Sequence, residues 1–143
     1  TVLPTFLKQK SGRVVFVSSV AGLLGTQYRA TYSAAKAAIH IWANSLRAEV
    51  APEGVDVSVV FPGFVKTNVS FNALNGEGKP QGHQDEAIEN GLDADVFAER
   101  VVESLMAGEQ YIVVSGKKEQ LGVLVSRLSP NLLYKMIRKM KVK

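Results

Sequence analysis

Residues 13–17 read Arg13-Val14-Val15-Phe16-Val17, and residues 55–61 read Val55-Asp56-Val57-Ser58-Val59-Val60-Phe61. The first run is β-branched and aromatic without polar alternation, which fits a strand buried on both faces of a parallel sheet. Ser11-Gly12 punctuates its start, Ser18-Ser19 with Gly22 and Gly25 its end, and Pro62-Gly63 cuts the second run. Between them Ala30–Val50 carries alanine at positions 34, 35, 37, 38, 43 and 48. Alanine is the best helix former, and Ala51-Pro52-Glu53-Gly54 then stops the helix because proline cannot continue its hydrogen-bond ladder. Strand, helix and strand make a βαβ unit, predicted right-handed. A helix is predicted over 93–106, with Val96, Phe97, Val101, Val102 and Leu105 on one side, and a third strand over 110–115. The fold class is α/β: half of a doubly wound parallel sheet, three strands with flanking helices.

The chain has 143 residues, 46% of them hydrophobic, which suits one globular domain and excludes disordered and fibrous classes. Without cysteine it has no disulfide scaffold, no thiol catalysis and no Cys-ligated zinc; with two histidines, no metal site is expected. No apolar run reaches the roughly 18–20 residues that span a bilayer. Residues 1–10 lack the basic-then-apolar order of a signal peptide. The expected setting is intracellular, in the cytoplasm or at the cytosolic face of a membrane.

The net charge of +4 is uneven. Residues 1–115 hold nine Lys and Arg against twelve Asp and Glu, while residues 116–143 hold eight against Glu119 alone. Aromatics do not interleave with the basic residues, so nucleic acid is not an expected partner. A basic tail over 116–143 points instead to an anionic surface. In it Leu132, Leu133, Met136, Ile137 and Met140 fall at helical spacing among Lys135, Arg138, Lys139, Lys141 and Lys143. Such a helix can lie in a membrane interface or pack its stripe on the protein's own body.

Residues 64–92 are polar and glycine-rich, a length that marks a lid or binding element. Gly76, Gly78 and Gly82 surround Pro80 with no strand before them, so they are not a dinucleotide fingerprint.

Tyr32 and Lys36 stand one helical turn apart on one face. With four tyrosines and 11 lysines in the chain, that pair alone is weak. Its weight comes from Ser19, thirteen residues earlier at the C-terminal end of a strand, the edge where open α/β sheets bind ligands. Pro62-Gly63 ends the next strand at the same edge, with Thr67 shortly after. A phenol holds its proton too tightly to relay it at neutral pH, and an ammonium one turn away favours the phenolate. A serine hydroxyl can donate to the same substrate oxygen as charge develops there. The trio suits an alcohol losing, or a carbonyl gaining, a proton. His40 lies one turn further along, about 5 Å away, and reads as a surface or packing residue. His83 reads as solvated, Trp42 and Leu46 as packing residues, and Lys117-Lys118 as an exposed turn.

Phe16-Val17-Ser18-Ser19-Val20-Ala21-Gly22, Tyr32-Ser33-Ala34-Ala35-Lys36 and Phe61-Pro62-Gly63-Phe64-Val65-Lys66-Thr67 resemble the C-terminal half of the short-chain dehydrogenase/reductase family, over residues 1–115. Thr67-Asn68-Val69-Ser70 and Leu128-Ser129-Pro130-Asn131-Leu132 resemble its member 7B branch, which is lipid- or steroid-associated. The resemblance implies a Rossmann-like domain over 1–115 and an NAD(P)-dependent oxidoreductase interconverting a carbonyl and an alcohol by hydride transfer. Tyr32 would be the acid/base, Lys36 would tune it and hold the nicotinamide ribose, and Ser19 would hold the substrate oxygen. Pro62, Gly63, Val65 and Thr67 would line the nicotinamide end of NADP or NAD, and Phe64 would meet the substrate under a lid of residues 64–92. The implied partners are a small carbonyl or alcohol, which the apolar start of the lid permits to be lipid-like, and a second copy of the chain. The family's Gly-rich turn, cofactor-selecting residue and catalytic asparagine have no counterpart in the sequence. The alternative is therefore a truncated, non-catalytic remnant acting through oligomerisation.

Overall fold

A computed structural model of the chain describes residues 2–139. Its strands are β1 (Gly12–Val17), β2 (Val55–Pro62) and β3 (Tyr111–Val114), all parallel, in the order β1-β2-β3. Helix α1 (Leu3–Gln9) precedes β1, and α2 (Ala30–Val50) joins β1 to β2. Next come α3 (Glu86–Glu89) and α4 (Ala94–Met106), then β3, then α5 (Lys117–Leu128) and α6 (Pro130–Ile137). This is the α/β architecture expected from the sequence: three parallel strands with flanking helices.

The period-two alternation of β2 divides the core between its faces. Val55, Val57, Val59 and Phe61 pack with Ala43, Leu46 and Val50 of α2 on one face. Val60 packs with Ile112 and Val114 of β3, covered by Phe97, Val101 and Leu105 of α4. Burying each Val, Leu or Phe contributes about 1.5–3 kcal/mol, so α2 is held mainly by this sheet contact. Val102 of α4 faces solvent instead of joining the expected stripe. Val15 and Val17 are also exposed, because α4 covers only β2 and β3 and leaves that face of the edge strand β1 open.

The two crossovers step the same way across the sheet, yet α2 and α4 cover opposite faces. They therefore have opposite hands, and only one can obey the right-handed preference. The α2 side of β3 is already occupied: Val123 of α5 and Leu133 of α6 join the α2 cluster, and the Arg127 guanidinium stacks 4.6 Å from the Tyr111 ring centroid. The segment after 115 thus shares the body's core. Leu133 is buried and Ile137 packs against the cluster, so this part of the expected tail stripe lies on the protein itself. Met140, Lys141 and Lys143 lie outside the described residues. Lys117 and Lys118 open α5 rather than forming a turn. Among the described residues, no helix is long and apolar enough to cross a membrane.

β2 outruns β3, and side chains satisfy the backbone where β3 is missing. Arg47 donates from Nε to the Val57 carbonyl at 2.8 Å and from Nη2 to the Gln110 carbonyl at 3.0 Å. The Ser58 hydroxyl donates to the Glu109 carbonyl at 2.9 Å. The Arg47 bonds fix α2 along the sheet, and α2 carries the residues of interest.

Candidate active site

The chain leaves β1 through Ser18 and Ser19 and turns at once in a 3-10 turn, Val20–Gly22. Ser19 caps that turn, its Oγ accepting from the Ala21 N–H at 3.1 Å and lying 3.5 Å from the Pro62 carbonyl oxygen at the end of β2. The Ser18 amide pairs with Val60, while its buried hydroxyl donates to the Lys36 carbonyl at 2.8 Å. Two adjacent serines thus tie the end of β1 to β2 and to α2. Gly22 makes the approach possible: a Cβ there would stand 2.8 Å from the Lys36 carbonyl carbon and 3.0 Å from the Ala37 nitrogen.

On α2, Tyr32 and Lys36 lie on this side of the helix. Lys36 Nζ donates to the Val17 carbonyl at 3.2 Å and stands 5.8 Å from the Tyr32 ring centroid. The Tyr32 ring is 45% exposed at the carboxyl edge of the sheet. Ser19 and the Lys36 ammonium therefore lie where β1 and β2 end, with the Tyr32 ring beside the ammonium. An ammonium offers three donors, and the Val17 carbonyl takes one, so the group can also receive ligand hydroxyls.

Gly63 follows the end of β2, where a Cβ would collide with Ser115 Cβ at 2.5 Å; only glycine lets this turn pass the end of β3. Phe64 and Val65 are half-buried, tied to Leu92 by the Leu92 amide donating to the Phe64 carbonyl and by a bridge from Val65 to Leu92. Thr67 is exposed, its Oγ1 accepting from the Val69 amide at 3.4 Å. Residues 64–92 are stitched rather than featureless. Gln84 Oε1 accepts from the buried Ser70 hydroxyl at 2.7 Å and from the Phe71 amide at 3.2 Å, while its Nε2 donates to the Thr67 carbonyl. Arg29, just before α2, reaches Asp85 at 3.7 Å. Sequence reasoning gave Gln84 and Arg47 no role and read Ser18 and Gly22 only as the end of the strand and part of the family motif, since their partners appear only once the chain is folded.

His40 packs edge-to-face with Phe61 at 5.0 Å and Tyr111 at 5.8 Å, and its Nε2 lies 3.0 Å from Asn44 Nδ2. Burial, reinforced by Arg47 and then Arg127, holds its pKa below the ordinary 6.5. It is a packing residue under β2 and β3. Trp42 is exposed but sets its edge on Phe16 at 5.2 Å.

The family model described as short chain dehydrogenase matches residues 1–77. A Drosophila melanogaster dehydrogenase/reductase SDR family protein 7-like is 39% identical over 142 residues, covering 99% of this chain and 44% of the relative. A Xenopus laevis dehydrogenase/reductase SDR family member 7B is 35% identical over 136 residues, covering 95% and 42%. The chain thus spans less than half the length of these relatives. Among solved structures, a Burkholderia cenocepacia short chain dehydrogenase in complex with NADP superposes with a TM-score of 0.74 at 22% identity, covering 94% of this chain and 50% of that one. A Burkholderia phymatum short chain dehydrogenase/reductase in complex with NAD gives 0.73 at 22% identity, covering 92% and 52%. Both share the fold. The matched family model covers the strand–helix–strand unit that brings Ser19, Tyr32 and Lys36 together, and the chain belongs to the short chain dehydrogenase family.

Proposed function

We propose that this chain supplies the catalytic half of an NAD(P)-dependent oxidoreductase that interconverts a carbonyl and an alcohol. The observation that carries the reading is the gathering of Ser19, Tyr32 and Lys36 at the ends of β1 and β2. When bound, NADPH or NADH would supply the hydride to the substrate carbon in reduction, and NADP or NAD would accept it in oxidation. In the reducing direction Ser19 Oγ donates a hydrogen bond to the substrate oxygen and Tyr32 Oη gives that oxygen its proton. Charge left on the phenol oxygen is stabilised by the Lys36 ammonium beside the ring, and solvent returns the proton. In the oxidising direction the same proton runs back.

Lys36 has donors to spare for ribose hydroxyls, and its position beside the exposed Tyr32 ring fits a nicotinamide nucleotide. Pro62, Gly63, Val65 and Thr67 would line the nicotinamide end, and Phe64 would meet the substrate. Residues 64–92 would act as the lid on the domain of residues 1–115, whose core α5 and α6 complete. Val69, Phe71 and Leu74 are exposed on that loop, which favours an apolar, lipid-like substrate. The exposed Ile41 and Trp42 on α2 favour pairing of two copies.

The test joins these residues to a dinucleotide-binding N-terminal half and follows NAD(P)H absorbance with a panel of ketones. Tyr32→Phe is expected to lower turnover at least about 100-fold. Turnover near the parent's would overturn the mechanism.

A further inference from the structure

Helix α5 sets only Val123 and Val125 against the core and leaves its leucines outside. Val123 is buried in the core, and its inward neighbours include Gly122 and Ser126: a Cβ on Gly122 would meet Leu24 Cδ1 at 3.0 Å, and Ser126 turns its hydroxyl back to the Val123 carbonyl at 2.7 Å. Leu121, Leu124 and Leu128, spaced i, i+3 and i+7, share the opposite face and are 54%, 53% and 76% exposed. A surface helix ordinarily turns such a stripe toward the core. Beyond Ser129, Leu132 and Tyr134 of α6 are exposed too.

The charges around this stripe have one sign. Lys117 stands one turn before Leu121 on the same face, with Lys118 beside it. Lys135, Arg138 and Lys139 follow on and after α6. Glu119, the one acid after residue 115, turns toward the Gly116 backbone and away from the leucines.

We propose that the leucine face of α5 docks on an anionic lipid-bilayer surface, the leucines entering the acyl boundary and the lysines lying among the headgroups. The charge complementarity selects this occupant: residues 116–143 carry +7 against −3 for residues 1–115, which fits a plane of negative headgroups. The structure thereby moves the membrane-facing stripe from Leu133 and Ile137, which pack on the body, to Leu121, Leu124 and Leu128.

The test is co-sedimentation of the full 143-residue chain with phosphatidylcholine vesicles, with and without phosphatidylserine, at low and at high salt. The chain is expected to pellet with the anionic vesicles and to release as salt rises. Leu121→Gln/Leu124→Gln/Leu128→Gln is expected to weaken that partition about 100-fold. Lys117→Gln/Lys118→Gln should weaken it about 30-fold on anionic vesicles only. All five positions are exposed, so far-UV circular dichroism should match the parent and report that both variants are folded. Absence of any preference for anionic vesicles, or parental binding by the leucine variant, overturns the proposal. So does a parent that sediments as a dimer without binding vesicles and becomes monomeric in the leucine variant, because a second copy would then cover the face.

Discussion

Replacing Gly22 with alanine puts a methyl group where the turn after β1 lies directly on α2. The new Cβ would stand 2.8 Å from the Lys36 carbonyl carbon and 3.0 Å from both the Ala37 nitrogen and Lys36 Cβ. Two of those three atoms are helix backbone and cannot swing aside. Turn or helix must therefore retreat by roughly 0.5–1 Å to restore ordinary carbon contact. Overpacking of this kind costs about 1–3 kcal/mol, measurable by chemical denaturation of the chain. Ser19 caps the same turn, so its hydroxyl moves with it. A misplacement near 1 Å lowers turnover about 100-fold, so Gly22→Ala should be far slower in the NAD(P)-linked assay of the joined protein. Gly25→Ala is the matched control, since a Cβ there meets nothing within 4 Å, and it should change stability by less than about 0.5 kcal/mol. If Gly22→Ala melts and turns over like Gly25→Ala, the close approach does not set the site and the reasoning fails.

Arg47→Ala removes donors from the Val57 and Gln110 carbonyls and from Asn44 Oδ1. Chemical denaturation should show a loss of about 3 kcal/mol, and a loss under about 1 kcal/mol would mean that the backbone finds other partners. His40, whose pKa burial lowers first and Arg47 and Arg127 lower further, binds its proton less readily folded than unfolded. Its unfolded form binds a proton near 6.5, so its share of stability is complete above that pH and is lost as pH falls below it. His40→Gln should flatten the pH dependence of the unfolding free energy in that window, and an unchanged slope would contradict the assignment. Gln84→Ala leaves the buried Ser70 hydroxyl and the Phe71 amide without their shared acceptor. Amide exchange at Phe71 and Asp85 should rise about tenfold while β2 is unchanged, and equal exchange would show that other contacts hold the loop.

The sheet was legible, and the proposed trio could be placed at its edge, because those signals lie in the chain itself. Strand runs, the alanine-rich helix and the Gly and Pro punctuation place Ser19 and Pro62 at one edge, and the spacing of Tyr32 and Lys36 follows from helical geometry alone. What the sequence withheld depends on what covers each face. The period of 93–106 announces an amphipathic helix but not which flank residue meets the sheet, so Val102 ends in solvent. Val15 reads like Val57, yet one is on an open edge and the other is fully buried. The opposite hand of the second crossover has the same origin: α5 and α6 come after β3 in sequence but occupy its α2 side. In α5 the difference carries a consequence. Leucine spacing alone cannot distinguish a stripe packed on the body from one presented outward; the burial of Val123 and the packing of Val125 decide it. A helix that turns two valines inward and three leucines outward buries less apolar surface on its own protein than it could. The leucine area left outside is the stabilisation that remains available to a lipid surface.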